Sequence, residues 1–325
     1  MKTVIYACDE NYVSLTLVSC TSLLVHNPAT HIVLLGFNLS EESFDLVRNQ
    51  VVARSGTFTA IDVSEQIQRL AAAGTCAYVS YAVYARLFIA DMLKNEHGKV
   101  LYLDCDTLVR GSLDELFSLD LHGHATALGF DCVHKRYKTV VNLPSDKAYY
   151  NSGVMLIDLD AWRAHHCTET LLSEIDHPHG RNPLGDQDII VRALNDDIAP
   201  LSPRFNFLSQ FFMLDYGGVQ ALTGKRVGCF TSKAEYNAAK ADPVVCHFSG
   251  NTFGRPWCSA SRHPLRAEYR EACETCDVTD LSRLDKPLPL AYQVQYLLWH
   301  ILPQWLFNIA NRLLLRTHLL VTYHR

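Results

Sequence analysis

The chain has few charged side chains and neither an internal repeat nor a low-complexity segment. Asp, Glu, Lys and Arg make up 19% of its 325 residues, whereas hydrophobic residues make up 48%. This composition excludes a disordered chain and predicts a large buried core in one domain or two. An excess of positive charge is also missing, because the formal net charge is −5. We therefore expect no nucleic acid among its partners.

A basic, apolar leader is absent from the start of the chain, where a strand is predicted from Thr3. We expect no secretory signal and hence a cytoplasmic protein. The 11 cysteines are odd in number and scattered, which indicates reduced thiols. Cys273 and Cys276 have the spacing of a metal or redox pair, but no second pair accompanies them. Packing of these two side chains is the favoured interpretation.

The end of the chain lacks acidic side chains. No Asp or Glu follows Asp285, and residues 287–311 contain no charged side chain. This stretch is long enough to span a bilayer, but its polar residues recur at helical spacing on one narrow face. They are Gln293, His300, Gln304, Asn308 and Asn311. We expect an amphipathic helix on the anionic inner face of the cytoplasmic membrane, kinked or split at Pro303. The alternative is a helix packed on the protein's own core.

Strand and helix patterns alternate along the chain. Strands are predicted at Thr3–Cys8, His31–Phe37, Thr57–Val63, Val100–Leu103, Ala125–Phe130, Gly153–Ile157 and Pro243–Phe248. Helices are predicted at Tyr12–His26 and Tyr78–Lys94 and from Ser40, Ser64, Leu159 and Gln187. The alternation predicts a Rossmann-like α/β fold, with a mostly parallel central sheet flanked by helices. A boundary near Ser282–Pro289 would divide a catalytic domain, residues 1–281, from an amphipathic helical tail, residues 282–325.

Two carboxylates, Asp104 and Asp106, follow the predicted strand Val100–Leu103. Ligands of open α/β sheets bind at the carboxyl ends of strands. Carboxylates one residue apart suit a divalent cation that also holds phosphate oxygens. Two further Asp-x-Asp triplets, at 158–160 and 186–188, read as the acidic first turns of helices. The pair at 104 and 106 is therefore the predicted metal site.

Five stretches together carry a family resemblance. They are Ala7-Cys8-Asp9-Glu10-Asn11-Tyr12, Tyr84-Ala85-Arg86-Leu87, Lys99–Val109, Tyr150-Asn151-Ser152-Gly153-Val154, and His247-Phe248-Ser249-Gly250 followed by Arg255-Pro256-Trp257. The ordered set resembles the retaining glycosyltransferases of family 8, which have the GT-A fold. Within that family it is most similar to the bacterial lipo-oligosaccharide and lipopolysaccharide galactosyl- and glucosyltransferases. The resemblance implies transfer of galactose or glucose from a UDP-sugar to a hydroxyl of a glycolipid or oligosaccharide, with Mn²⁺, or Mg²⁺ in its place.

The resemblance also implies roles for individual residues. The nucleotide would contact Ala7, Asp9, Asn11, Tyr12, Asp104, Cys105 and Gly250. The metal ligands would be Asp104, Asp106 and His247. The sugar would contact Arg86, Asp131, Asn151, Asp186 and Gln187. The catalytic residues would be Asp186, Gln187 and Arg255.

Two positions depart from the family pattern. Arg255 stands where the family has Lys, after a longer linker, and an arginine can clamp a diphosphate bidentately. Tyr78 stands where similar sequences have His. Gln187 carries an amide, which is a poor nucleophile, and this favours attack from the same face of the sugar over a double displacement. Asp188 is interpreted as a support residue, and the segment His134–Asp146 is expected to influence the acceptor.

Two other functions are compatible with these motifs. One is a non-catalytic, membrane-bound scaffold of the same fold, and the intact Asp104, Asp106 and His247 set argues against it. The other is a self-glucosylating primer that resembles glycogenin, and the basic amphipathic tail argues against it.

Overall fold

The computed structural model describes residues 1–72, 80–224 and 232–323. The strands are β1 (Thr3–Cys8), β2 (His31–Gly36), β3 (Thr57–Asp62), β4 (Lys99–Leu103), β5 (Thr107–Val109), β6 (Thr126–Phe130), β7 (Tyr150–Asp158), β8 (Ile198–Leu201), β9 (Phe207–Leu208) and β10 (Val245–His247). The α-helices are α1 (Val13–His26), α2 (Glu41–Val52), α3 (Ser64–Ala72), α4 (Ile89–Met92), α5 (Asp114–Ser118), α6 (Tyr137–Val140), α7 (Leu159–Ala164), α8 (Cys167–Asp176), α9 (Asp186–Ala193), α10 (Ser209–Met213), α11 (Tyr216–Thr223), α12 (Lys233–Ala241), α13 (Arg266–Thr275), α14 (Leu290–Ile301) and α15 (Gln304–Tyr323). Short 3₁₀ helices occupy Tyr81–Phe88, Asn195–Asp197, Pro203–Phe205 and Ser282–Leu284.

The central sheet has seven strands in the order β3-β2-β1-β4-β7-β6-β8. Neighbouring strands in this sheet are parallel, except that β7 is antiparallel to both β4 and β6. Because of this reversal, the start of β7 lies beside the carboxyl ends of β4 and β6, where Leu103 faces Val154 and Phe130 faces Tyr150. Apolar side chains fill both faces of the sheet. One edge of the sheet therefore gathers the polar residues that follow β1, β4 and β6.

A second, three-stranded sheet has the order β5-β10-β9. Strand β10 runs antiparallel to β5, with His247 opposite Thr107. The Phe248 N–H also donates to the carbonyl of Asp106 at 2.9 Å. The strand predicted at Pro243–Phe248 is present over a shorter span, and it belongs to this small sheet. The pairing places His247 against the two carboxylates of the predicted metal site.

The predicted helix over Tyr78–Lys94 forms only in part. Residues 81–88 coil as a 3₁₀ helix that leads directly into the short α4, and Tyr78 lies outside the described residues. The 3₁₀ stretch begins at Ser80, whose hydroxyl accepts from the Ala82 N–H at 3.2 Å. This segment contains Tyr, Val and Phe, which are weak helix formers, so tertiary contacts can favour a 3₁₀ helix over an α-helix here. Several of those contacts are made by Arg86, as described below.

The helical tail divides at Pro303, as the sequence predicts, into α14 and α15. Both helices pack against the rest of the protein, and Phe307 is fully buried. The polar residues of α15 face inward: Gln304 Nε2 donates to the Met213 carbonyl at 3.1 Å, and Asn308 Nδ2 donates to Asp215 Oδ1 at 2.7 Å. In the described part of the chain, no helix combines the length and hydrophobicity that crossing a bilayer requires.

Candidate active site

The polar residues at the sheet edge line a cavity of about 250 Å³. Asp9 follows β1, Asp104 follows β4, and Asn151 lies at the start of β7. The residues implied by the resemblance that line this cavity are Ala7, Asp9, Tyr12, Arg86, Asp104, Cys105, Asp106, Asn151, Asp186, Gln187, His247 and Arg255. The fold therefore brings together residues that are scattered over most of the chain.

Three of the implied residues lie outside this cavity. Asp131 and Gly250 line an adjoining cavity, which shares Asn151 and Gln187 with the first. Asn11 is exposed, and its backbone N–H donates to Asp9 Oδ1 at 2.9 Å. A direct contact between Asn11 and a nucleotide therefore stays a prediction.

Asp104, Asp106 and His247 form a compact group of metal-ligating atoms. One ligand atom from each residue lies within 4.8 Å of the others, and no other such group occurs among the described residues. His247 Nε2 lies 3.2 Å from Asp106 Oδ1 and 3.6 Å from Asp104 Oδ2. Two carboxylates and an imidazole fit a divalent ion such as manganese.

The other ring nitrogen of His247 is held by two amides. His247 Nδ1 lies 3.1 Å from Asn151 Oδ1 and 3.2 Å from Asn206 Oδ1. Because both neighbours are acceptors, Nδ1 carries a hydrogen and donates it. Nε2 faces the two carboxylates, and it would release its own proton when a metal binds there. Asn206 belongs to the site although no sequence pattern singled it out, since it is distant in sequence from the other residues.

Gly153 is required by the packing of this group. A Cβ atom at position 153 would lie 2.2 Å from His247 Cε1 and 2.7 Å from Asp104 Oδ2. Any side chain there would displace the metal ligands. The motif Asn151-Ser152-Gly153 drew attention to this glycine, but only the structure shows why it is needed.

Charge compensation keeps Asp106 ionised. Burial alone would raise the pKa of this carboxyl, but His247 and Arg255 beside it lower the pKa well below its ordinary value. Arg255 Nη1 pairs directly with Asp106 Oδ2, and the guanidinium lies 5.4 Å from the centre of the Trp257 ring. Arg255 is therefore placed at the metal group, where the diphosphate is expected.

Arg86 connects the metal group to the predicted sugar residues. It is almost fully buried, and its Nη2 donates to Asp104 Oδ1 at 2.9 Å. Its Nε lies 2.9 Å from Asp186 Oδ2, while its hydrogen is donated to the Val83 carbonyl. Nη1 donates to the Ser152 carbonyl at 2.6 Å. Each nitrogen of Arg86 thus contacts the protein, and its buried charge lies between the carboxylates of Asp104 and Asp186.

Gln187 is locked by four hydrogen bonds. Its Oε1 accepts from Asn151 Nδ2 at 3.0 Å and from the Ser152 N–H at 3.3 Å. Its Nε2 donates to Asp131 Oδ2 at 3.0 Å and to the Tyr149 hydroxyl at 3.1 Å. This network joins three of the implied sugar residues in one rigid unit. It was not visible in the sequence, because its members come from three separate segments of the chain.

Two acids near the start of α9 have raised pKa values. Burial raises the pKa of Asp186 to about 6, although Arg86 opposes the shift. Burial also raises the pKa of Asp188 to about 6. Asp188 accepts from the Tyr137 hydroxyl at 3.1 Å and from the Leu184 N–H at 2.7 Å, away from the metal group. It supports the site, in agreement with the sequence interpretation.

Hydrogen bonds connect the residues that are predicted to contact the nucleotide. Asp9 Oδ2 accepts from the Ser80 hydroxyl at 2.5 Å, and Cys105 Sγ donates to the Ala7 carbonyl at 3.3 Å. Tyr12 is partly exposed, and burial together with the Asp106 charge raises the pKa of its hydroxyl. Ser80 is a further residue that sequence reasoning missed, and Tyr78 just before it lies outside the described residues.

The thiols of Cys273 and Cys276 pack in the apolar core beside α1. Both are buried free cysteines, as are the other seven cysteines of the described residues. Burial raises the pKa of Cys273 to about 12, so this thiol stays protonated at neutral pH. The pair has a packing role, in agreement with the favoured sequence interpretation.

Curated relatives are found for this chain. General stress protein A of Bacillus subtilis (strain 168) is 33% identical over 197 residues, which cover 59% of this chain and 65% of that protein. Lipopolysaccharide 1,3-galactosyltransferase of Salmonella typhimurium (strain LT2) is 24% identical over 274 residues, which cover 82% of this chain and 76% of that protein. The chain thus spans less than two thirds of the length of the first of these relatives.

The solved structure of galactosyltransferase LgtC in complex with donor and acceptor sugar analogues is similar, with a TM-score of 0.68 and 22% identity. The match covers 90% of this chain and 99% of that chain. This likeness confirms the expected GT-A architecture. The model of the family described as "Glycosyl transferase family 8" matches residues 3–260, which is most of the described core. On that match, the chain belongs to glycosyl transferase family 8.

Proposed function

We propose that the protein is a metal-dependent, retaining hexosyltransferase that moves galactose or glucose from a UDP-sugar to a hydroxyl of a glycolipid or oligosaccharide. The observation that carries the proposal is the convergence of Asp104, Asp106 and His247 on a cavity that also contains Tyr12 and Gln187. The similar lipopolysaccharide 1,3-galactosyltransferase supports the choice of substrates.

Residues at different places in the cavity have different proposed roles. Asp104, Asp106 and His247 would hold Mn²⁺, or Mg²⁺ in its place, which when bound supplies a Lewis acid for the diphosphate. Arg255 adds a cation beside Asp106 and would neutralise the departing UDP. Arg86 keeps Asp104 and Asp186 at fixed separation, so the metal end and the sugar end keep their relative positions.

The family resemblance implies retention, and Gln187 favours a same-face mechanism over a double displacement, because its amide is a poor nucleophile. The amide oxygen of Gln187 already accepts two hydrogen bonds, and Asp131 Oδ2 accepts from both Gln187 and Asn151. Attack on the same face then breaks the bond between the anomeric carbon and the β-phosphate oxygen while the acceptor oxygen bonds to that carbon. The acceptor proton passes to the released UDP oxygen, and the products are UDP and a glycoside of unchanged anomeric configuration.

The test is hydrolysis of UDP-galactose and UDP-glucose by the full chain, with Mn²⁺ and with EDTA. Asp106→Ala should abolish turnover, whereas Gln187→Ala should keep measurable activity. Asp160→Ala is the matched control, because Asp160 belongs to another Asp-x-Asp triplet and lies exposed at the start of α7. Full activity of Asp106→Ala in EDTA would refute the metal role. Hexose label on a tyrosine of the protein itself would favour the self-glucosylating primer.

We also infer that the tail binds the inner face of the cytoplasmic membrane. Apolar side chains are exposed at helical spacing on the outward side of α14 and α15, whereas Gln304 and Asn308 of α15 face the protein. Gln293 and His300 of α14 are exposed. The exposed side includes Leu290, Val294, Leu297, Ile301, Trp305 and Ile309. Arg312 and Arg316 are exposed on α15, and their positive charges suit anionic lipid headgroups. Of the tail's aromatic residues, Tyr296 and Trp299 instead pack on Phe253.

Sedimentation with vesicles tests this interface. Wild-type protein should bind vesicles that contain phosphatidylglycerol more strongly than vesicles of phosphatidylcholine alone. Ile301→Asp, at a side chain that is 62% exposed, should reduce the bound fraction several-fold. Val52→Asp is the control, because Val52 is 59% exposed on α2. Equal binding by the two variants would contradict the proposal.

A further inference from the structure

A second cavity, of about 330 Å³, adjoins the donor cavity. The two share Asn151, Leu184, Gln187 and Ser249 in their linings. The volume falls within the range of small-molecule sites, roughly 300–1,000 Å³. A ligand in the second cavity would therefore meet a donor sugar at the Gln187 network.

The far wall of this cavity is built by the two tail helices. Tyr292 and Gln295 contribute from α14. Asn311, Leu315 and His318 contribute from α15, with the spacing of one helix face. This wall is the inward side of the same helices whose outward side is apolar and exposed. The tail is thus part of a cavity that opens onto the candidate active site.

One buried polar atom in this wall lacks a partner. Gln295 is only 8% exposed, and its Nε2 donates to Asn311 Oδ1 at 2.7 Å. That bond fixes the amide, and Gln295 Oε1 is left buried without a hydrogen-bond partner among the described residues. An unpaired buried amide oxygen is costly to the folded state. Since this atom can only accept, a ligand that satisfies it must bring an O–H or N–H donor.

The remaining lining points to a sugar. Amide and imidazole groups from Gln210 and His134 lie among apolar side chains such as Met213 and Leu222. Burial and nearby cations lower the pKa of His134 to about 4, so its ring is neutral at pH 7. A sugar ring presents hydroxyl groups at its rim and C–H groups on its faces, and this mixed lining suits both.

We propose that this cavity is the acceptor subsite and that α14 and α15 are its far wall, with Gln295 Oε1 accepting a hydroxyl of the acceptor's sugar chain. Gln295 is then a specificity-determining residue supplied by the tail. This inference rests on the proposed hexosyltransferase function, since only a transferase needs an acceptor beside the donor cavity.

The test uses the full chain, UDP-hexose and a soluble oligosaccharide obtained by deacylating bacterial lipopolysaccharide. Gln295→Leu should raise the KM for this acceptor about tenfold, while UDP-hexose hydrolysis without acceptor stays within about twofold. Gln293→Leu is the matched control, because Gln293 is exposed two residues away on α14. Its acceptor KM should equal that of the wild type.

A second pair of variants blocks the cavity sterically. Leu315→Trp should nearly abolish transfer with hydrolysis intact, whereas Thr317→Trp, at an exposed position of α15, should leave transfer unchanged. Unchanged acceptor KM in Gln295→Leu and normal transfer by Leu315→Trp would overturn the inference. Failure of the oligosaccharide to accept hexose from an enzyme that hydrolyses the donor would also count against it. Lack of any hydrolysis by the wild type would instead refute the proposed function.

Discussion

Gly153 and His247 are packed so closely that only a hydrogen atom fits between the glycine Cα and the imidazole. A Cβ atom at position 153 would lie 2.2 Å from His247 Cε1. Gly153→Ala should therefore push His247 away from Asp104 and Asp106 and lower Mn²⁺ affinity and turnover by about 10–100-fold. Gly111→Ala is the control, because its Cβ would meet only Val244 at 3.7 Å. Manganese titration followed by electron paramagnetic resonance measures the affinity, and equal affinity in the two variants would refute the packing argument.

Removal of the buried Arg86 charge should destabilise the fold. Arg86→Met leaves Asp104 and Asp186 without their shared cation, and breaking a buried ion pair costs about 3–5 kcal/mol. Arg48→Met removes an exposed pair with Asp45 and should cost less than about 1 kcal/mol. Urea unfolding in EDTA measures both values. Similar losses in the two variants would contradict the assigned role of Arg86.

Asp188 should make stability fall as the pH rises through the mildly acidic range. Its pKa is about 6 in the folded protein and ordinarily near 3.8, so the folded state holds the proton between these values and the unfolded state does not. The free energy of unfolding then decreases from about pH 4 to about pH 6, by up to about 3 kcal/mol. Asp188→Asn should flatten this decrease, as urea unfolding across the range would show.

Asp160→Asn is the matched control for the pH experiment, because hydrogen bonds from Gly98 and His97 lower the pKa of this exposed carboxyl. The pKa of Asp160 is lower in the folded than in the unfolded state, so this carboxyl does not cause a loss of stability with rising pH. The decrease in the free energy of unfolding between pH 4 and 6 should therefore persist in Asp160→Asn. Parallel curves for wild type and Asp188→Asn would show that Asp188 is not the titrating group. Asp186, whose pKa is also about 6, supplies the slope that remains in Asp188→Asn.

Phe253 ties the tail to the segment that carries Arg255. Its ring is fully buried and lies 5.5 Å from Trp299 and 6.3 Å from Tyr296, centre to centre. Phe253→Ala should cost about 3–5 kcal/mol and expose α14 to limited proteolysis. Leu46→Ala, at an exposed site of α2, should change neither property. Unaltered proteolysis of Phe253→Ala would show that the contact does not hold the tail.

Local patterns predicted much of the sheet and its polar edge. The apolar run that ends before Asp104 was sufficient to place this acid, because ligand sites of open α/β sheets lie at the carboxyl ends of strands. The family resemblance then added Asp9, Asp131, His247 and Arg86. The reversed direction of β7 was not predictable, since a buried strand has the same apolar run in either direction.

Contacts between segments that are distant in sequence could not be predicted. Nothing near Asn206 or Ser80 marks them as partners of His247 and Asp9, and the Gln187 network depends on the register of β7 with β6. The tail illustrates the same limit. Its helical period was readable, but a period does not state which side of a helix meets the protein, and the polar side of α15 turned out to face inward.

That inward polar side has a practical consequence for any shortened form of the enzyme. Ending the chain before Leu290 would remove the exposed apolar side chains of α14 and α15, yet the same cut would uncover Phe253 and delete Gln295 and Asn311. Such a fragment would keep Asp104, Asp106 and His247, the predicted metal ligands. On the proposed function it would hydrolyse the donor with water, because the proposed acceptor wall of α14 and α15 would be gone.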